Sequence, residues 1–220
     1  MATPRAPRNT LTHEKVVAAA LELADEEGIG AFTIRELAGR LQVRPMAIYH
    51  YTSSKDDLLD SLVDAVFAEV HLPEVHGQWR EELVRRSHSM RETLARHRWA
   101  LAVMETRPHP GPATLMNHEA VLEVLRASGF SLGAAAHAYA ILDAFVYGFA
   151  LQEAMLETVG LQADSARVMK GMDLLRYPRV AEMAAVYATA EVYPLTNTFD
   201  IGLEIVMDGI QRLTSATPSP

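Results

Sequence analysis

Arg44, Pro45, Met46, Ala47, Tyr49, His50 and Lys55 crowd the stretch VRPMAIYHYTSSKDDLL, Val43–Leu59. Their chemistry suits a base-paired polyanion. An arginine presents a two-pronged donor that matches the O6/N7 edge of guanine, and apolar atoms such as those of Pro45, Met46 and Ala47 suit thymine methyls. Tyr49 and His50 follow one turn later. A lysine at the start of the next helix, beside outward-facing backbone N–H groups, suits a phosphate. Arg35 and Thr33, just upstream, are further candidates for a base or phosphate. The same residues also fit an ordinary pair of capped helices in a helical protein, so spacing alone leaves both readings open.

These side chains need a frame, and the local sequence supplies one. Thr12 is placed to cap a helix over 12–27, with Val16, Val17, Ala20, Leu21 and Leu23 as its apolar side. Gly28 and Gly30 end it. Thr33 followed by Glu36 is a capping box for the helix TIRELAGRL, in which hydroxyl and carboxylate each satisfy a free backbone N–H. Pro45 fits the first turn of a short helix reaching Tyr51. Ser54 with Asp57 opens another helix, to about His71. Two short helices joined by a tight turn, the second led by exposed side chains, describe a helix-turn-helix.

Pro73 and Gly77 mark a boundary, giving an N-terminal unit over 1–72, with a basic arm bearing Arg5 and Arg8, and a second domain over 73–220. The second domain reads as helices over 78–98, 99–106, 113–128, 131–158, 178–191 and 196–214, with a loop over 159–177. No strand pattern is convincing, so the fold class is all-α. The apolar stretch LGAAAHAYAILDAFVYGFAL contains His137 and Asp143 and reads as a bundle helix rather than a membrane span.

The chain has 220 residues and a formal charge of −8, which argues against generic polyanion binding. Residues 1–60 are net −2, but Glu22, Asp25, Glu26 and Glu27 cluster at one helix end, and local placement decides phosphate contact. No cysteine is present, which removes thiol catalysis and cysteine-held zinc. The histidines lack metal-ligand spacing, so neither metal nor cofactor is expected. No apolar leader follows MATPRAPRNT, and a cytoplasmic location is expected.

The stretch TIRELAGRLQVRPMAIYHYTSSKDDLL resembles the DNA-binding signature of TetR-family transcriptional regulators: a T-x-R-x-L-A helix, a turn, an aromatic pair, then S-K-x-x-L-L. WREELVRRSHSMRETLARHRW, GFSLGAAAHAYAILDAFVYGFALQE and FDIGLEIVMDGIQRL look like the C-terminal domain of the tetracycline-repressor branch. The resemblance implies a homodimer on a palindromic DNA operator, released by a small-molecule effector held in the C-terminal domain. Repression is the family's usual mode. Gln42 stands at a turn position where glycine is common, and a left-handed conformation there would cost about 1 kcal/mol; Arg44 stands where a small polar residue is usual.

For the effector, His71 matches a drug-contacting histidine of the namesake. Val103 stands at its metal-binding histidine, Arg86 and Val121 at polar amides, and Gln152 at an acid near the metal. Valine cannot coordinate, so the resemblance implies a metal-free ligand of hydrophobic or aromatic character. Met90, Trp99, Met104, Met116, Tyr139, Phe145 and Phe149 are the apolar candidates for a pocket, though each is equally at home in a core. Two rivals remain at this point. One is a dimeric helical binding protein without sequence-specific DNA contact. The other is an enzyme using Asp143 and Glu153, which lacks any accompanying nucleophile or phosphate motif.

Overall fold

Thr12 opens helix α1, His13–Glu27, by accepting a hydrogen bond from the Lys15 N–H at 3.3 Å. The computed structural model describes residues 11–76, 78–104, 106–107, 109–159, 173–189 and 197–214. The basic arm and most of the expected 159–177 loop lie outside the described residues. Val16, Ala20, Leu23 and Ala24 form the buried stripe of α1, which Gly28 ends at φ 78°.

Helix α2, Ile34–Arg40, begins at Thr33. The Thr33 hydroxyl accepts from the Glu36 N–H at 3.2 Å and donates to the Glu36 carboxylate at 2.8 Å. The capping box is therefore closed side chain to side chain, where the sequence suggested a carboxylate turned to the backbone. Leu37 and Ala38 are buried, while Ile34 and Leu41 are only partly so. After α2 the chain reverses through two hydrogen bonds, Gln42 N–H to the Gly39 carbonyl at 3.1 Å and Val43 N–H to the Ala38 carbonyl at 2.9 Å. This is a Schellman turn, and it puts Gln42 at φ 56°.

Helix α3 is Pro45–Ile48, one turn long and shorter than the span to Tyr51 suggested by sequence. Its proline occupies the first position, where a missing N–H leaves nothing unsatisfied. Hydrogen-bonded turns carry the chain on to Thr52. Helix α4, Lys55–Ala68, is capped by Ser54, whose hydroxyl accepts from the Asp57 N–H at 3.0 Å. It stops three residues before His71, so the expected span to His71 is too long; its last backbone bonds close over Val66 and Phe67.

The chain divides into two compact units: the described part of Met1–Val70 with Arg96–Met116, and His71–Ala95 with the described part of Asn117–Pro220. The first crossing falls within two residues of the boundary read from Pro73. The return of Arg96–Met116 to the first unit is not contained in that linear division. Carboxylates of α1 and α4 hold this returning segment. Asp25 accepts from the Trp99 indole N–H at 2.7 Å and meets His97 Nδ1 at 2.8 Å. Arg107 donates to the Asp56 carboxylate at 3.0 Å. Asp64 accepts from both the N–H and the hydroxyl of Thr114, at 2.8 and 3.0 Å. The segment carries a 3-10 turn at Arg98–Ala100, helix α6 at Leu101–Met104 and the start of helix α7, Pro112–Ala127.

The second unit contains helix α5, Trp79–Arg96, the rest of α7, helix α8, Leu132–Val159, helix α9, Pro178–Thr189, and helix α10, Thr198–Leu213. No strand occurs among the described residues. Helices α8 and α10 meet through stacked rings, Phe145 and Phe199, with centroids 5.4 Å apart. Gly202 permits this approach: a Cβ there would sit 2.7 Å from the Phe145 ring. The Arg91 guanidinium lies 4.5 Å from the centre of the Phe199 ring and is ion-paired with Glu153. By length and composition α8 could cross a membrane, but it buries Asp143.

The left-handed Gln42 gives a direct test of the turn. Gln42→Gly removes the Cβ penalty but adds freedom to the unfolded chain, so stability should rise by about 0.5–1 kcal/mol. Urea denaturation measures it; a loss of stability would show that the turn is not left-handed.

Candidate nucleic-acid interface and effector region

The helix-turn-helix exposes what the sequence singled out and buries what must hold it down. Ile48 is fully buried, whereas Met46 is 72% and Tyr49 43% exposed. Arg35, Arg44, Pro45 and His50 are exposed as well, with Ala47 partly covered. Arg44 caps α3 by backbone conformation only, with no side-chain capping bond, so its guanidinium is not consumed there. Arg40, at the other end of α2, is consumed. It bonds both oxygens of Glu26, at 2.6 and 2.7 Å, and reaches Glu22 at 3.3 Å. The acidic end of α1 thus neutralises an arginine of α2, and Arg35 and Arg44 remain at the surface.

Lys55 and Thr33 are exposed yet engaged. The Lys55 ammonium donates to the Phe32 carbonyl at 2.7 Å and lies 5.5 Å from the centre of the buried Phe32 ring. One of its three N–H groups therefore ties the first turn of α4 to the link before α2. The Thr33 hydroxyl is occupied by Glu36. Asp57 accepts from the Ser53 N–H at 2.8 Å and the Thr52 hydroxyl at 3.0 Å, and these bonds hold its carboxyl below the usual range. They fix the link between α3 and α4.

The residues expected around an effector are divided between the two units. Trp99, Val103, Met104 and Met116 belong to the first unit, and His71, Arg86, Met90, Val121, Tyr139, Phe145, Phe149 and Gln152 to the second. Met90 and Val121 are fully buried; Met116 is 57% exposed and Gln152 is exposed. Trp99 is held by Asp25, and Phe145 with Phe149 packs on Phe199. His71 is fixed twice within its unit. Its ring Nε2 lies 2.9 Å from Glu82, and its backbone N–H donates to the Ser89 hydroxyl at 2.9 Å. Among the described residues Arg86 is the largest fully buried side chain. Its Nε donates to the Asn117 carbonyl oxygen at 2.8 Å and its Nη1 to Asp143 at 2.7 Å, while the Tyr147 hydroxyl reaches the other Asp143 oxygen at 3.2 Å. Burial disfavours the charged guanidinium, but the Asp143 charge outweighs it and raises the Arg86 pKa.

Sequence reasoning found Arg86 and Asp143 separately, as a resemblance position and as a rival's acid. It missed Asn117, Asp25 and His97 as partners, because nothing in local spacing pairs residues 31 to 72 positions apart, and it passed over Tyr147, four residues after Asp143 on the same helix. Asp143 and Glu153, the two carboxylates of the enzyme reading, are each engaged by an arginine. No group of three or more His, Cys, Asp or Glu suited to a metal occurs among the described residues.

An exposed one-turn helix led by an arginine that has no side-chain partner among the described residues, set against a capped partner helix, defines a helix-turn-helix protein of the DNA-binding class. Residues 16–62 match the bacterial regulatory proteins of the tetR family, and residues 72–214 match the tetracyclin repressor-like C-terminal domain. The chain belongs to the TetR family and is a ligand-responsive transcriptional regulator. It is similar to an HTH-type transcriptional regulator of Saccharopolyspora erythraea, 40% identical over 139 residues that cover 63% of this chain and 59% of that one. It is 32% identical to the HTH-type transcriptional repressor DrrR1 of Streptomyces coeruleorubidus, covering 96% of this chain and 81% of the relative. Among solved structures it resembles the Streptomyces coelicolor TetR family protein ActR in complex with actinorhodin, at 27% identity and a TM-score of 0.77 over 94% of this chain and 100% of that one.

Glu82 is 5% exposed, and the hydrogen bond from His71 lowers its pKa against the opposing effect of burial. A depressed carboxyl stabilises the fold above its unfolded pKa near 4.5 and loses that contribution as pH falls through the lower folded value. Glu82→Gln should therefore lower stability at pH 7 and flatten the acid limb of a stability–pH curve below about pH 4.5. Chemical denaturation across pH 2–7 reads this out; an unaltered acid limb would show that Glu82 is not so held.

Proposed function

We propose that this regulator is a repressor that grips a palindromic operator as a homodimer and leaves it when a small hydrophobic or aromatic effector binds the second domain. Exposure of Arg44, Pro45, Met46 and Tyr49 on a helix anchored by Ile48 carries this reading. Such a helix fits the major groove, with its first residues nearest the base edges. Thr33, Arg35, Ala47, His50 and Lys55 complete the proposed DNA surface, with a second head supplied by the partner. DrrR1 is a repressor and ActR binds actinorhodin, which supports repression and a small-molecule effector here. His71, Arg86, Met90, Val121, Tyr139 and Phe149 are the proposed effector contacts in the second unit. Operator binding places the protein in the cytoplasm.

The dimer reading rests on apolar surface. Ile141, Leu151 and Met155 of α8 and Ile201 and Ile205 of α10 are each about half exposed or more in the single chain. Isologous pairing of two such helices buries them as a four-helix interface. A two-fold protein then matches a two-fold DNA site, with half-sites about one helical turn apart.

Binding of the purified protein to DNA flanking its gene, followed by fluorescence anisotropy, tests the interface. Arg44→Ala should relax preference at one base pair by about 1–3 kcal/mol. Lys55→Met should weaken all sequences alike. Unchanged binding and selectivity in both variants would remove α3 from the interface.

Ile205→Lys tests the dimer by sedimentation. A lysine buried without a partner should weaken self-association at least about tenfold, while the exposed site leaves the monomer fold intact. A wild-type chain that sediments as a monomer would defeat the two-headed reading.

A further inference from the structure

We propose that the cleft between α1 and α4 in the first unit binds a small organic cation, an amine carried on a hydrophobic ring body. This goes beyond the effector reading, because the cleft belongs wholly to the unit that bears the reading helix.

The cleft holds about 720 Å³, a size that suits a small molecule. Part of its wall is apolar. Val17, Ala18 and Leu21 come from α1, and Ala65 and Ala68 from α4. The alanines leave open the space that longer side chains would fill. Gly111 and Pro112, from the returning segment, add a third side. Gly111 makes this side possible, since a Cβ there would collide with the Asp64 carboxylate. Asp64 in turn accepts from the N–H and the hydroxyl of Thr114, so the third side is fastened to α4.

The charge along the cleft has one sign. Glu14, Asp57, Asp60, Asp64 and Glu69 line it, and among the described residues no lysine or arginine does. Two of these acids are met by cations from outside the lining, Glu69 by Arg96 at 2.7 Å and Asp60 by Arg107 at 3.4 Å. Asp57 and Asp64 are held by neutral donors instead: the Thr52 hydroxyl and Ser53 N–H for one, Thr114 for the other. A neutral donor fixes a carboxylate without cancelling its charge. Asp57, Asp60 and Asp64 also follow one another on a single face of α4, three and then four residues apart, where like charges repel. A cation in the cleft relieves that repulsion. His13, on the same lining, spends Nδ1 on the Tyr51 carbonyl at 2.9 Å, so its neutral ring keeps Nε2 as a further acceptor.

The two properties together select the occupant. The carboxylates reject anions, nucleic-acid phosphate included. A bare metal ion has no ligand set, since no group of three or more His, Cys, Asp or Glu suited to one occurs among the described residues. A neutral hydrocarbon would cover the apolar wall but take water from the acids without replacing it. An organic cation lays its body on the apolar wall and turns its ammonium, with up to three donors, to the acids. It would also reach Asp57, whose bonds to Thr52 and Ser53 fix the link between α3 and α4. The occupant thus bears on the support of the reading helix without entering the second unit.

The test is a fluorescence titration of the purified full chain at about pH 8, where an alkylamine is protonated. The probes are 9-anthracenemethylamine, 9-anthracenemethanol and 9-anthracenecarboxylate. The amine should bind at least about fivefold tighter than the alcohol, and the carboxylate more weakly than either. Glu14→Gln with Asp64→Asn removes two charges and keeps size and an acceptor oxygen. In that variant the amine's advantage should fall below about twofold, with the alcohol bound as before. Ala18→Trp, at an exposed helix position, fills the cleft and should weaken amine binding at least about tenfold. No binding of the amine, equal binding of amine and alcohol, or tightest binding of the carboxylate would overturn the cation assignment. Amine binding unchanged in both variants would put the probe elsewhere and overturn the cleft as its site. With Arg5→Gln and Arg8→Gln together, amine affinity should stay within about twofold of wild type. A gain of about tenfold or more would make the chain's own basic arm the occupant and overturn the small-molecule assignment. The effector reading stands under every one of these outcomes, and the wild-type series decides even where a variant does not fold.

Discussion

A one-turn helix cannot stand alone in water. Fixing a single turn orders several residues for one or two hydrogen bonds, so the turn forms only where tertiary contacts hold it. Helix α3 is four residues long and buries one of them, Ile48. Every surrounding feature of the first unit serves that constraint. The Schellman turn delivers the chain from α2, Pro45 restricts the entry, and Asp57 gathers the Thr52 and Ser53 donors on the far side. His13 adds a bond from α1 to the Tyr51 carbonyl at 2.9 Å. Because the anchor is one side chain, the rest of α3 stays outside, and the brevity of the helix leaves its surface free for DNA.

Electrostatics follow the same division of labour. The first sixty residues carry more acid than base, which at first argues against a polyanion partner. The acids, however, are occupied in building the unit. Glu22 and Glu26 hold Arg40, Asp25 holds Trp99 and His97, Asp56 meets Arg107 and Asp57 fastens the link after α3; Asp64, just beyond, holds Thr114. Arg35 and Arg44 stay exposed. A net charge sums over faces, whereas phosphate contact depends on what stands within a Debye length of the strand. Lys55 shows the two roles meeting in one side chain, since its ammonium fastens Phe32 while the residue stays exposed.

Caps and turns were legible in the sequence because their physics is local. Thr12, Thr33, Pro45 and Ser54 each act within three or four residues, and each sits where its helix begins. Gln42 was legible as a strained turn only through the family resemblance, which marks its position as one where glycine is common. The return of Arg96–Met116 to the first unit was not, since it depends on carboxylates some fifty to seventy positions away. The partners of Arg86 were hidden likewise: an arginine on α5 gives no sign that its neighbours come from α7 and α8. Methionine and aromatic side chains report a buried surface without saying whose, so the unit each apolar candidate joins was not legible.

The buried Arg86–Asp143 pair cannot be explained as a device for stability. Removing two charges from water costs more than their attraction usually returns, and well-packed apolar residues of like size serve stability as well or better. What such a pair does supply is direction. Arg86 is locked by Asn117 and Asp143 together, Asp143 is further fixed by Tyr147, and three helices are thereby held in one register. On α8 this matters more than elsewhere, because the helix is apolar nearly all round and alanine-rich. An apolar stripe alone would let it rotate or slide against its neighbours at little cost. Asp143 fixes its rotation toward α5 and α7, Gly202 and Phe145 fix its contact with α10, and Ile141, Leu151 and Met155 are left outward as a consequence. The polar core of the second unit therefore determines which apolar face that unit presents.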